Sequence, residues 1–311
     1  MKTFLLAALA ALTPLVPASG REAAPATVQV PAVPAVERGH IRSWLYGDTG
    51  PVVVLVPGMS TPGAVWNDAV AQLSGDHRVL VVEVRGFDGE RGTANERDGA
   101  IKGIVTDIAA DLVARDLGPA TIAGHSLGGL IAMRFGLDHP EFAANLLILD
   151  SLPFFGTVFS ADMTLETVRP QADRMRQMLI DGADAMRAAG VEGTASGAGA
   201  MGMSVDEARR VKIANWSLDA EPLAVAQLVW EDTMMDLRQD IAALAMPVTV
   251  VHFATGEYAD MARERYATDY AALDSVRIVP VDNSSHFVQL DRPEVVYAEL
   301  RRLTGTSAGT N

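Results

Sequence analysis

Short, wholly apolar runs that alternate with amphipathic runs predict an α/β protein. Its expected core is a mostly parallel, doubly wound sheet, interrupted by a helical insertion. Three observations carry this. First, stretches such as 52–56 (Val-Val-Val-Leu-Val) and 146–149 (Leu-Leu-Ile-Leu) are apolar at every position, as strands buried on both faces should be. Second, helical periods separate these stretches, the pattern of strand–helix crossovers in one parallel sheet. Third, from 151 to 246 no strand is convincing and only helical periods appear.

The chain opens on Lys2, an apolar stretch at 4–12, the breakers Pro14 and Pro17, and small residues at 16–20. This is the layout of a signal peptide over residues 1–20, so the mature protein is expected to be secreted or periplasmic. The apolar stretch is too short for a lasting membrane anchor. Residues 21–39, with Pro25, Pro31 and Pro34, read as an extended Ala/Pro-rich linker.

The predicted core occupies 40–150 and 247–304. A strand at 41–46 is followed by a turn at 47–51 and a buried strand at 52–56 that runs into Pro57-Gly58-Met59-Ser60. A helix over about 62–73 precedes a strand at 79–84, and 89–99 reads as a polar loop. Ile101, Ile104, Val105, Ile108, Leu112 and Val113 recur at helical spacing, and Gly118-Pro119 ends that helix. A short apolar run, 121–123, then meets Gly124-His125-Ser126-Leu127-Gly128, with an amphipathic run over 130–137 behind it. The strand at 146–149 ends at Asp150. Within the insertion, 151–246, helical periods span 164–189, 205–217 and 221–238. Nine methionines lie there, among them Met175, Met201 and Met234. They serve either as filler at helix contacts or as the adaptable apolar face of a cap that lines an entrance. Strands at 248–253 and 276–281 flank a helix near 260–273. The loop Asp282-Asn283-Ser284-Ser285-His286 follows, then a last helix with Asp291 as its cap and Pro293 in its first turn.

Composition narrows the chemistry. Of 311 residues 49% are hydrophobic, ample for a large core, and the net charge of −14 argues against nucleic-acid binding. With no cysteine, disulfides, thiolate metal sites and cysteine nucleophiles are excluded. No spacing of histidines and carboxylates reads as a metal site, and no Gly-x-Gly-x-x-Gly follows a strand, so no cofactor is expected. In Gly124-His125-Ser126-Leu127-Gly128 the glycines flanking the serine permit a sharp turn that presents its hydroxyl before a helix N-terminus. A serine needs a base and an orienting acid to act as nucleophile. Met59, Ser126, Asp150, Glu257 and His286 all follow predicted strands, the edge at which sites lie in such sheets.

With Val56-Pro57-Gly58-Met59, Gly124-His125-Ser126-Leu127-Gly128-Gly129, the helical insertion and Ser285-His286-Phe287 in this order, the sequence resembles the α/β-hydrolase superfamily over roughly 40–304. The resemblance implies a serine hydrolase with Ser126 as nucleophile and His286 as base. His40 and His77 lie in predicted surface segments, His125 is expected to turn away from the nucleophile, His139 sits at a helix end, and His252 reads as a core residue. Backbone N–H groups of Met59 and Leu127 are the expected oxyanion donors. The acid is irregular, because the usual Gly-x-x-Asp is absent. Asp150, 24 residues after Ser126, is one candidate; Glu257, 29 residues before His286, is the other, with Asp260 behind them. The expected substrate is a small to medium apolar carboxylic ester, which makes the protein a carboxylesterase. Amidase, aminopeptidase or lactonase activity, acyl transfer, and a non-catalytic ligand-binding role are the alternatives.

Overall fold

The structure is a computed structural model that describes residues 35–188, 193–194, 196–197 and 200–306. The expected signal peptide and linker residues 21–34 lie outside the described residues. The last linker residues take part in the sheet: Val36–Glu37 (β1) pairs antiparallel with Ile41–Tyr46 (β2). The other strands are β3 (Val52–Val56), β4 (Arg78–Val84), β5 (Ala120–His125), β6 (Ala143–Leu149), β7 (Val248–Phe253) and β8 (Val276–Val281). One eight-stranded sheet results, ordered β1-β2-β4-β3-β5-β6-β7-β8. All pairings from β4 to β8 are parallel, and β2 runs antiparallel to β4.

Nine α-helices accompany these strands among the described residues, the last two following β8: α1 (Asn67–Leu73), α2 (Ala100–Ala114), α3 (Leu127–Asp138), α4 (Leu165–Ala188), α5 (Glu207–Asp219), α6 (Pro222–Thr233), α7 (Ala259–Asp269), α8 (Val288–Asp291) and α9 (Pro293–Thr304). The all-apolar strands exist because both sheet faces are covered. Val52, Val54 and Val56 of β3 pack with Ile104 and Ile108 of α2 and Leu130 of α3, while Val53 and Leu55 pack with Leu73 of α1 and Leu300 of α9. The alternation of side chains along a strand divides one apolar run between two cores. Each fully buried Val or Leu contributes about 1.5–3 kcal/mol.

The insertion joins β6 to β7 through α4, α5 and α6. The Glu231 carboxylate of α6 accepts the N–H groups of Gly99, Ala100 and Ile101 at 2.7, 3.0 and 2.8 Å. These donors have no acceptor within α2 itself, so the carboxylate caps that helix and ties the insertion to the core. Met175 is buried and packs with Phe154 and Val168, Met163 and Met234 join them, and Met203 packs on the other core. Met178 and Met201 are exposed.

Several boundaries differ from the expectation; the helix near 260–273, for one, ends at Asp269. β6 starts at Ala143, three residues early, because Ala143, Ala144 and Asn145 carry no apolar signal. The Asn145 side chain instead bonds the Thr121 hydroxyl on β5. α6 ends at Thr233, and the apolar residues after it fold as turns whose Leu237 N–H reaches Pro153 O at 2.8 Å. Asp291 does not cap the last helix. It closes α8, and Arg292 stands at the N-cap of α9 without a side-chain cap bond.

Candidate active site

The turn between β5 and α3 is built around Ser126, at φ 54° and ψ −121°. A non-glycine residue with positive φ costs on the order of 1–3 kcal/mol and persists only where its surroundings enforce it. Here the Ser126 N–H donates to Leu149 O at 2.9 Å, and Ser126 O accepts the Gly129 and Leu130 N–H groups at 2.7 and 3.3 Å. Gly124 and Gly128 are required by space. A Cβ on Gly124 would meet the Gly128 carbonyl, and one on Gly128 would meet those of Val56 and Pro57.

His286 lies in the loop between β8 and α8, with its side chain 27% exposed. Its Nδ1 stands 2.6 Å from Asp150 Oδ2. Asp150 directly follows β6, is buried, and has φ 46°. The other carboxylate oxygen, Oδ1, accepts the Tyr266 hydroxyl at 2.9 Å and the Phe253 N–H at 3.4 Å. Tyr266 belongs to α7, and its ring stacks on His252 with centroids 4.1 Å apart. Burial, reinforced by the Asp150 charge, pushes the Tyr266 phenol well above its usual range, so it remains a proton donor. Nothing in the sequence of α7 marked Tyr266 as a partner of Asp150.

The structure brings Asp150 to His286 and leaves the other carboxylates outside. Glu257 is exposed in a short turn, Gly256–Tyr258. Asp260 is exposed and pairs with Arg263 at 3.0 Å. The loop after β7 meets the histidine loop through Thr255 instead. Its hydroxyl donates to Ser284 O at 2.7 Å, and Thr255 Oγ1 accepts the Ser284 N–H at 3.0 Å.

His125 packs against His286. Its ring centroid lies 4.6 Å from that of His286, and its Nε2–H donates to His286 O at 2.9 Å. Burial, with the second imidazole nearby, holds His125 well below the usual histidine range. It is therefore a neutral donor. His77 is buried rather than on the surface, between Asp76 and Thr304. His252 is a core residue, as expected, with Nδ1–H donating to Phe253 O at 2.8 Å.

The loop after β3 comes up beside the serine. A Cβ on Gly58 would lie 3.2 Å from Ser126 Cβ and 2.8 Å from His125 Nδ1, so only glycine lets Met59 approach this closely. Leu127 is the first residue of α3, where an N–H has no acceptor within the helix. Gly58, next to Met59, and Leu127 thus both border Ser126. Among the described residues no group of three or more His, Cys, Asp or Glu could hold a metal ion.

Residues 53–299 match the alpha/beta hydrolase family. The chain belongs to this family. The matched span contains Met59, Ser126, Leu127, Asp150, Glu257 and His286. Over 112 residues the chain is 35% identical to a pimeloyl-[acyl-carrier protein] methyl ester esterase of Vibrio atlanticus, which covers 36% of this chain and 41% of that protein. The chain thus spans about two-fifths of the length of the curated relatives it matches. In fold it is similar to a hydrolase of Pseudomonas aeruginosa (TM-score 0.67, 16% identity, 86% of this chain and 94% of that one). It is also similar to the enol-lactonase of Burkholderia xenovorans (TM-score 0.65, 17% identity, 88% and 100%). At such identities the likeness is one of fold.

Proposed function

We propose that this alpha/beta hydrolase cleaves carboxylic esters through an acyl-enzyme on Ser126, as a carboxylesterase. The observation that carries the proposal is the 2.6 Å contact between His286 Nδ1 and a buried Asp150 carboxylate, on the same sheet edge as a serine held at positive φ. With Nδ1–H given to Asp150, Nε2 of His286 is left as the basic nitrogen.

In the first half-reaction Ser126 Oγ bonds to the ester carbonyl carbon while its proton passes to His286 Nε2. The carbonyl oxygen becomes an oxyanion, received by the N–H groups of Met59 and Leu127. The intermediate collapses, the C–O bond to the alcohol breaks, and His286 returns the proton to the leaving oxygen. Water then repeats the sequence on the acyl-enzyme, with His286 taking its proton, and the carboxylic acid is released. Both a methyl ester and an enol-lactone, the substrate types named for two of the similar proteins, contain the bond this chemistry breaks. Esters are favoured over amides because their leaving group needs less protonation.

The helical insertion is proposed to act as a cap over the acyl group, and residues 1–20 as an export signal. The catalytic proposal is tested with p-nitrophenyl esters of increasing chain length. Wild-type protein should release nitrophenol with a preference for one chain length, while Ser126→Ala and His286→Ala should each lose on the order of 10⁴–10⁶ in kcat. Equal rates in wild type and Ser126→Ala would remove the proposal.

A further inference from the structure

His286 has a second set of contacts, on its backbone side, and they come from the insertion. Its N–H donates to Gly202 O at 3.3 Å, and the Phe287 N–H donates to Met203 O at 2.9 Å. The Ser285 hydroxyl also donates to Gly202 O. Carbonyls of residues 202–203 therefore accept three bonds from 285–287, although about eighty residues separate the two segments in the sequence.

Asp291 locks the two segments together. One turn of helix, α8, separates it from His286, and that turn brings its carboxylate back beneath the histidine loop. The side chain is fully buried. Oδ2 accepts the Ser285 N–H at 2.9 Å and the Val205 N–H at 3.1 Å. Oδ1 accepts the Ser204 hydroxyl at 2.5 Å and Arg209 Nη1 at 3.3 Å. One bond of the four goes to the histidine loop and three go to the insertion. Ser204 is itself buried, although Gly202 and Val205 on either side are exposed. A small hydroxyl turned inward from an exposed run is explained by its bond to Asp291.

The arrangement divides the support of His286 between two parts of the molecule. Asp150 orients the ring. The backbone that carries the ring is held by His125 from the sheet edge and by residues 202–205 from the insertion. We propose that Asp291 is a positioning residue for His286, and that residues 202–205 complete its mount, so that the ring stays aligned with Asp150 only while this segment is docked. The proposal rests on the reading of His286 as the general base. It makes the seating of the insertion a condition of turnover, apart from any contact the insertion makes with substrate.

Asp291→Asn removes one acceptor oxygen and turns an amide group toward two donors, so one half of the lock must open. Ser204→Ala removes a single bond from the insertion side. Both variants are compared with wild type in the full chain. The readouts are kcat and KM for p-nitrophenyl acetate, and the low-field proton resonance of the His286 Nδ1–H bonded to Asp150. A misplacement of the base costs up to about 10²-fold. Asp291→Asn should therefore lose about 10²-fold in kcat with KM changed less than about threefold, and Ser204→Ala about tenfold. The low-field resonance should broaden or shift in both. Folded variants with wild-type kcat and an unchanged resonance would overturn the proposal. If Asp291→Asn does not fold, Ser204→Ala decides on the same criteria. If wild-type protein cleaves no ester, the hydrolase reading fails, and the resonance alone decides the positioning role: altered in Ser204→Ala it stands, unaltered it falls.

Discussion

Two carboxylates in the sequence have the spacing of a triad acid, and their surroundings separate them. Asp150 is buried, each of its oxygens accepts a hydrogen bond, and its Oδ2 faces His286; Glu257 is exposed and could orient nothing without ordering a long free side chain. Asp150→Asn should lower kcat by about 10⁴-fold, by presenting the wrong hydrogen-bonding group to the imidazole. Glu257→Gln should leave kcat within about twofold of wild type. The opposite ranking, measured on folded variants, would move the acid to the loop after β7. Tyr266→Phe keeps the ring stacked on His252 but removes one bond to the carboxylate. A hydrogen bond to a charged group is worth about 1.5–3 kcal/mol, so a loss of roughly tenfold in kcat is expected, and wild-type kinetics would show that the Phe253 N–H alone suffices. Local sequence marked Ser126 and His286, because glycine spacing and a late histidine are short-range signals. Tyr266 and the role of His125 were not legible, since each depends on how α7 or the histidine loop meets the sheet edge from a distant part of the chain.

Elements whose signal is internal were read with little error. β3, β7 and β8 begin and end where expected; in β3 every residue is apolar and buried, so no polar position blurs its edge. Errors fell where tertiary partners overrule local pattern. Asp291 precedes Arg292-Pro293 and looks like a cap, yet its carboxylate is drawn into the lock with Ser204 and Ser285. The cap that does matter between elements is Glu231, which no pattern within α2 foretells because it arrives from α6. Glu231→Ala should cost about 1 kcal/mol, as typical cap losses do, and lower Tm by roughly 2–4 °C. Thermal unfolding followed by circular dichroism reads this directly. Unchanged Tm would show that water caps α2 equally well.

Across the whole molecule, the 39 acidic residues outnumber the 25 basic ones, and charge repulsion grows as carboxylates ionise. Among the carboxylates that burial raises, Glu83 and Asp232 foremost, Glu83 contributes apart from this background. Burial pushes Glu83 up to about 7, against a bond from the Gly63 N–H, and its Oε1 has no partner. Between the ordinary glutamate range near 4.5 and about 7, the folded state keeps a proton that the unfolded chain has released. Stability from this group is therefore present at low pH and lost as pH rises through that window, by an amount on the order of 3 kcal/mol. Glu83→Gln should flatten the fall in Tm between pH 5 and 8, and a profile parallel to wild type would contradict the assignment. The proposed serine hydrolase rests on the fold, the serine held at positive φ and the contact of His286 with a buried Asp150 carboxylate. Its most direct test is intact-mass analysis of folded protein after exposure to a fluorophosphonate. One adduct per chain, located at Ser126 and absent from Ser126→Ala, is the predicted result; an unmodified wild-type protein, or an adduct that persists in Ser126→Ala, would contradict it.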